Sequence, residues 1–327
     1  MSSRPLRTAL IAFATLAACA LTSAQAQAPY PSQPIKFIVP YAAGGVPDTV
    51  ARFTAQRLSD RIGHSVVVEN RPGGNGSVAA AAMAAAPADG YTLMVTDSAM
   101  LSVNPLFFSQ LAYSPQKDFM PVAVLARAPL FLAVHESVPV RTLREFIDYV
   151  KEHPGKINYG SAGVGSTHHL TMEAMKSALH LNITHVPYRG SGQSVPALLG
   201  GHVQALFSAY PALRGAIETN RVRLVATNAA QRSPLAPDVP PLADVIPGFD
   251  LITLIGMYAR TGTPPAIIQK IAAEAIDVVK QADVVPQFAA LGMEPAGEGP
   301  EAFGKAIASE IERVTEVVRK AGIKPAQ

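Results

Sequence analysis

Ile35-Lys36-Phe37-Ile38-Val39-Pro40-Tyr41-Ala42-Ala43-Gly44-Gly45-Val46-Pro47-Asp48 holds the repeating unit of the fold. A β-branched run ends at a proline, two adjacent glycines permit a tight turn, and Pro47 with Asp48 opens a helix over 47–62. The unit recurs at once. Val66-Val67-Val68-Glu69-Asn70 is a second strand, and the turn Arg71-Pro72-Gly73-Gly74-Asn75-Gly76-Ser77 leads to a helix over 77–86 with Ser77 as its cap. A third strand spans 91–95. This βαβαβ opening predicts an α/β fold with a largely parallel sheet.

From Val122 the pattern changes. Val122-Ala123-Val124-Leu125 and Leu130-Phe131-Leu132-Ala133-Val134 are apolar runs split by Pro129, which reads as a crossing between two lobes. A second α/β series follows, with helices over 142–153, 166–179 and 191–199 and strands over 157–160, 183–186, 205–208 and 222–226. Pro234, Pro237, Pro240, Pro241 and Pro247 predict an extended surface return over 233–247. A strand-like run over 251–258 and amphipathic helices over 264–281 and 301–321 are assigned back to the first lobe. The expected organisation is a signal peptide (1–28), a discontinuous lobe 1 (29–126 plus 250–327) and lobe 2 (127–249).

The first 28 residues combine a basic start with Arg4 and Arg7, an apolar stretch over 8–21, and Ser23-Ala24-Gln25-Ala26-Gln27-Ala28 before the mature chain. That is a secretory signal, which sends the protein to the periplasm. The single cysteine, Cys19, lies within it, so cleavage leaves no thiol and no disulfide. Leu16-Ala17-Ala18-Cys19 also fits a lipobox, the alternative being a lipoprotein anchored at Cys19. The 327 residues are 49% hydrophobic and 16% charged, enough for two cores. Of 27 Lys and Arg against 24 Asp and Glu, loss of Arg4 and Arg7 leaves 25 against 24. This near neutrality, with no basic run and 6% aromatics, argues against a nucleic-acid partner.

The chemistry-bearing stretches are small-residue loops before helix starts. First-turn N–H groups, aided by the helix dipole, give an anion charge-assisted hydrogen bonds of roughly 1.5–3 kcal/mol each. Gly44-Gly45 fits such a cradle and equally a plain strand-to-helix turn; it matches neither dinucleotide nor P-loop spacing. Tyr159-Gly160-Ser161-Ala162-Gly163-Val164-Gly165-Ser166-Thr167-His168-His169 repeats the arrangement in the other lobe. Two such starts facing one cleft point to capture of a small organic anion, most simply a carboxylate. His168 and His169 are adjacent, so they face different ways on a helix, and no carboxylate stands at ligand spacing; neither metal nor cofactor is expected. Ser161 or Ser166 with His168 leaves a serine hydrolase as an alternative, without a Gly-x-Ser-x-Gly elbow.

Tyr30-Pro31-Ser32-Gln33-Pro34-Ile35, Gly44-Gly45-Val46-Pro47-Asp48 and Val67-Val68-Glu69-Asn70-Arg71-Pro72-Gly73 resemble the opening of the Bug family, solute receptors of tripartite tricarboxylate transporters. Pro87-Ala88-Asp89-Gly90-Tyr91-Thr92-Leu93, Asp118-Phe119-Met120-Pro121-Val122, Pro154-Gly155-Lys156-Ile157-Asn158-Tyr159 and His185-Val186-Pro187-Tyr188-Arg189-Gly190 continue the likeness over the mature chain. The resemblance implies a type II periplasmic binding protein, two α/β lobes closing on a ligand in the cleft between them. It implies a monomer that delivers a mono- or dicarboxylate to a membrane permease; a sensory binder presenting its ligand to a membrane kinase is the alternative. Carried over, the ligand contacts are Tyr41, Ala42, Ala43, Gly44, Gly45 and Asp48 in the first lobe and Ser161, Gly163, Gly165, Ser166 and Thr167 in the second. Gly74, Asn75, Ser98, Arg189, Ser208 and Tyr210 are added as loop and strand-end candidates. Asp48 is awkward beside an anion and is expected either to organise N–H groups or water or simply to favour the helix start. Two departures concern the pocket walls: Ala42-Ala43 replaces a proline-rich turn, and Leu254-Ile255-Gly256 stands where a tryptophan is common.

Overall fold

A computed structural model describes residues 30–323; the expected signal peptide and Cys19 lie outside the described residues. Residues 30–32 belong to a small N-terminal unit, and the fold is that of the second unit, from Gln33 onward.

β1 (Ile35–Val39) pairs in parallel with β2 (Val66–Asn70) and β3 (Thr92–Asp97). α1 (Val46–Ile62) joins β1 to β2, and α2 (Ser77–Ala85) joins β2 to β3. α1 begins with Pro47 and Asp48 in its first turn and ends where Gly63 turns left-handed at φ 69°. Three single turns follow, α3 (Ala99–Ser102), α4 (Asn104–Phe107) and α5 (Pro115–Asp118), which sequence periodicity missed because four residues make no amphipathic pattern. β4 (Phe119–Ala128) lies antiparallel to β10 (Thr253–Arg260), which also runs antiparallel to β3, and β11 (Glu294–Pro295) closes the edge. The order is β11-β4-β10-β3-β1-β2.

After residues 129 and 130 the chain enters a second sheet, ordered β7-β6-β8-β5-β9. Its strands are β5 (Phe131–His135), β6 (Asn158–Ser161), β7 (Thr184–Pro187), β8 (Ala205–Ser208) and β9 (Val222–Thr227). β6 is parallel to β7 and β8, whereas β5 is antiparallel to β8 and β9. Both sheets are therefore mixed, against the expectation of a largely parallel one. The reason is the crossings: β5 and β10, the strands that arrive from the other lobe, run against their neighbours. The expected lobe limit after residue 126 falls inside β4, which stays in the first sheet to Ala128.

α6 (Leu143–Glu152), α7 (Thr167–Leu179), α8 (Ser191–Leu199) and α9 (Tyr210–Glu218) flank the second sheet; α10 (Pro265–Val279), α11 (Val284–Ala290) and α12 (Pro300–Ala321) follow β10. α12 packs on both lobes. Its Phe303 fills the space over Gly256, where a Cβ would stand 2.1 Å from the ring, and its Val314 joins the core beneath the second sheet. The proline-rich return is not simply surface chain. Val239 and Leu242 are buried in the second lobe's cores, and the Thr227 N–H donates to Pro240 O at 2.9 Å. Fully buried Asn228 ties the two crossings together: its Oδ1 accepts the Leu130 N–H at 2.8 Å, and its Nδ2 donates to Leu251 O at 2.7 Å.

Candidate functional site

Because β1, β2 and β3 are parallel neighbours, the loops that follow them leave one edge of the first sheet. Tyr41, Ala42, Ala43, Gly44, Gly45, Asp48, Gly74, Asn75 and Ser98 all lie at that edge. β6, β7 and β8 do the same in the second sheet. They gather Ser161 at the end of β6 with Gly163, Gly165, Ser166 and Thr167 after it, Arg189 after β7, Ser208 at the end of β8 and Tyr210 at the start of α9. The Tyr188 N–H donates to Ser161 O at 3.1 Å and the Gly190 N–H to Ala162 O at 3.2 Å, so the first two loops of this edge are laced together. A contact across the lobes joins the edges: a Cβ on Gly165 would lie 3.2 Å from the Phe107 ring of α4.

Asp48, 2% exposed, anchors the first loop. Its Oδ2 accepts the Gly44 N–H at 2.8 Å and Arg52 Nε at 3.0 Å, and its Oδ1 accepts Asn70 Nδ2 at 2.8 Å. Asn70 Nδ2 also donates to Tyr41 O at 3.0 Å, fixing the loop from β2. Burial pushes the Asp48 carboxyl up, but the bonds from Arg52, Gly44 and Asn70 outweigh it and hold its pKa below the ordinary value. The charge is thus compensated where it stands, which resolves its awkwardness beside an anion. Arg52 and Asn70 were not foreseen as site residues. Asn70 stands in the quoted Glu69-Asn70-Arg71-Pro72-Gly73 signature, and its place at a parallel strand end is the signal that could have marked it. The Tyr41 hydroxyl points inward and donates to Asp97 Oδ1 at 3.0 Å; burial raises the pKa of both groups.

Ser98 is buried and committed: its Oγ accepts the Leu254 N–H at 3.2 Å and bonds Glu310. Gly74, at φ 55°, and Asn75 form the 3₁₀ turn Gly74–Gly76. In the second lobe, fully buried Ser161 accepts the Gly163 N–H at 3.1 Å and meets His185 Nε2 at 2.7 Å. The Gly165 N–H donates to His169 Nδ1 at 3.1 Å. Ser166 caps α7, accepting the His169 N–H at 3.3 Å while donating to Gly163 O at 2.7 Å. Tyr210 packs edge-on to Phe131 at 5.9 Å, Arg189 is exposed with its N–H on Gln193 Oε1, and the Ser208 hydroxyl is buried with no partner among the described residues.

Three amides assigned to a ligand by their sequence position, those of Gly44, Gly163 and Gly165, are therefore used inside the protein. Among the donors that stay open are those in the first turn of each helix. In α1 these are the amides of Val46 and Asp48, Pro47 having none; in α7 they are those of Thr167 and His168. None of the four has a protein partner among the described residues. Each lobe so presents a helix start with two unspent donors, an arrangement suited by its dipole and its free N–H groups to an anion. The hydrolase alternative fails on the same geometry: the Ser161 hydroxyl is sealed from solvent, Ser166 is a cap, and burial holds His168 down to about 4 without a serine on its ring. Among the described residues no cluster of His, Cys, Asp and Glu could hold a metal ion.

The model of the tripartite tricarboxylate transporter family receptor, TctC, matches residues 50–323. Protein BugT of Bordetella pertussis is 34% identical over 297 residues, covering 90% of this chain and 91% of BugT. Rpa4515 of R. palustris, solved with adipate, is 32% identical with a TM-score of 0.73, over 91% of this chain and all of that one. MatC of Rhodopseudomonas palustris, solved with bound malate, is 31% identical with a TM-score of 0.68, over 88% and 100% of the two chains. A sequence likeness that runs nearly end to end, on two mixed α/β lobes, has one meaning: the chain belongs to the tripartite tricarboxylate transporter receptors, solute-binding proteins and not enzymes.

Proposed function

We propose that this protein captures a small mono- or dicarboxylate in the periplasm, between the helix starts of α1 and α7, and delivers it to the permease of a tripartite tricarboxylate transporter. The observation that carries the reading is the pair of unspent amides on each lobe, Val46 with Asp48 and Thr167 with His168. Similar receptors solved with adipate and malate, both dicarboxylates, support it. The closing bodies are 29–126 with 250–327, and 127–249, apart from the last two residues of β4. Residues 1–28 act as the export signal, Cys19 being the lipid site in the alternative. The receptor works as a monomer without a nucleic-acid partner, in keeping with its near-neutral charge.

A thermal-shift screen of the mature protein against mono- and dicarboxylates, aromatic acids, amino acids, sugars and cations tests this. An acid at 100 times its Kd adds about 2.7 kcal/mol to stability, a plain rise in Tm. A shift with sugars or cations alone overturns the carboxylate reading.

A further inference from the structure

Behind the second-lobe loop three rings lie in a stack. The His185 ring of β7 sits 4.7 Å from Tyr159 of β6 and 4.1 Å from His169 of α7, the planes within 18° in both pairs. Each imidazole takes one bond from the loop. His169 Nδ1 accepts the Gly165 N–H at 3.1 Å, and His185 Nε2 lies 2.7 Å from Ser161 Oγ, which itself accepts the Gly163 N–H at 3.1 Å. Gly163 and Gly165 have φ of 126° and 79°, so the loop follows a path that ordinary residues rarely adopt and that outside anchors hold.

We propose that His169 and His185 are the positioning residues of the second anion loop: they fix Gly165 and, through Ser161, Gly163, and so aim the Thr167 and His168 amides into the cleft. This rests on the carboxylate reading above. An imidazole accepts only through an unprotonated nitrogen, so His169 can hold Gly165 only while neutral. A protonated ring would turn an N–H toward an N–H, and two charged rings would face each other at stacking distance.

The surroundings keep the pair neutral. Burial lowers the pKa of both rings, and for His185, held down to about 4, the neighbouring His169 adds to the effect. The charged groups facing the stack are Glu173 and Lys176 of α7, which bond each other, with Glu173 also taking the Tyr159 hydroxyl at 2.6 Å. Glu173 favours and Lys176 opposes charge on the rings. His168, the next residue of α7, is itself held neutral by burial. A lowered histidine pKa leaves the acceptor intact above it, so the loop keeps its shape near neutrality and loses it in acid.

The full mature chain is compared as wild type, His169→Asn and His169→Phe. Asn places an acceptor oxygen near the position of Nδ1 and does not titrate; Phe keeps the stacking ring and removes the acceptor. Amide exchange of Gly165, read by NMR without ligand, is expected to rise at least tenfold in H169F and under threefold in H169N. Adipate affinity by calorimetry at pH 7.5 is expected to fall at least tenfold in H169F and under threefold in H169N. The ratio of H169N to wild-type affinity should rise as the pH is lowered from 7.5 into the range where the wild-type Gly165 amide loses its protection, a comparison in which titration of adipate itself cancels. Unchanged Gly165 exchange in H169F, or equal loss in both variants, overturns the proposal. If adipate binds no version of the protein, the carboxylate reading is challenged for that acid, while the exchange data still decide the role of His169.

Discussion

Glu310 is a buried carboxyl that no ligand contact requires, and replacing it with Gln should stabilise the protein in a pH-dependent way. It stands on α12, 7% exposed, where its Oε1 accepts the Ser102 hydroxyl at 2.7 Å. Thr167, Leu170 and Thr171 of α7 and Val314 wall the space beside it, about 20 Å³ and room for about one water. Burial first, and the nearby Asp97 in addition, push its pKa from 4.5 up to about 7, against the pull of Ser102, Ser98 and Arg313. A raised acid holds its proton more tightly folded than unfolded. Its share of stability is therefore complete below 4.5 and is lost as the pH rises through 7. At about 1.4 kcal/mol per pKa unit the loss is about 3 kcal/mol. Gln keeps an oxygen for Ser102 and cannot ionise. Urea unfolding followed by circular dichroism, suited to a chain with no Trp, should find Glu310→Gln more stable than wild type by up to about 3 kcal/mol at pH 8. At pH 4.5 that advantage should be gone. An equal difference at both pH values would refute the reasoning, because it would mean that no charge is being forced into the interior.

Asp48→Asn should lower stability by about 1–2 kcal/mol at pH 7, since it weakens charge-assisted bonds from Gly44 and Arg52. As Asp48 has a lowered pKa, its contribution is present above the ordinary carboxyl value and fades below it; urea melts at pH 7 and pH 3 check this. Asn228→Ala strands the buried Leu130 N–H and Leu251 C=O and should cost about 2–5 kcal/mol, seen as a lower urea midpoint with unchanged slope. Gly256→Ala drives a methyl into Phe303, which is fully buried, and should cost at least about 2 kcal/mol; adding Phe303→Leu should recover part of it.

The strands and long helices were legible because their signals are local. Val66-Val67-Val68 can hardly be anything but strand, and Pro47 with Asp48 marks a helix start that the structure places one residue earlier. Strand direction was not legible. The opening βαβαβ run is parallel, but β5 and β10 take their sense from where the chain crosses, a property of topology rather than of any residue in them. The proline-rich return was misjudged for a related reason: Pro predicts backbone shape, while Val239 and Leu242 decide that the segment is anchored in the core. In the site, the loops were legible and the bonding was not. Gly44, Gly163 and Gly165 have the sequence of free donors, yet Asp48, Ser161 and His169 reach them from four, two and four residues away, separations at which the turn geometry alone decides who pairs.

Those internal bonds alter how binding energy is spread over the molecule. Loops already tied by Asp48, Asn70, His169 and His185 lose little freedom when an anion arrives, which removes an ordering cost of about 0.5–1.5 kcal/mol per group fixed. On the proposed reading the anion then meets two amides on each lobe. At roughly 1.5–3 kcal/mol per charge-assisted bond, the second lobe offers about 3–6 kcal/mol that exists only when the lobes are closed. A shift from mostly open to mostly closed needs about 5.5 kcal/mol of differential binding. The upper part of that range reaches it without an arginine clamp, so two short helix starts are enough to make closure report that a ligand is present.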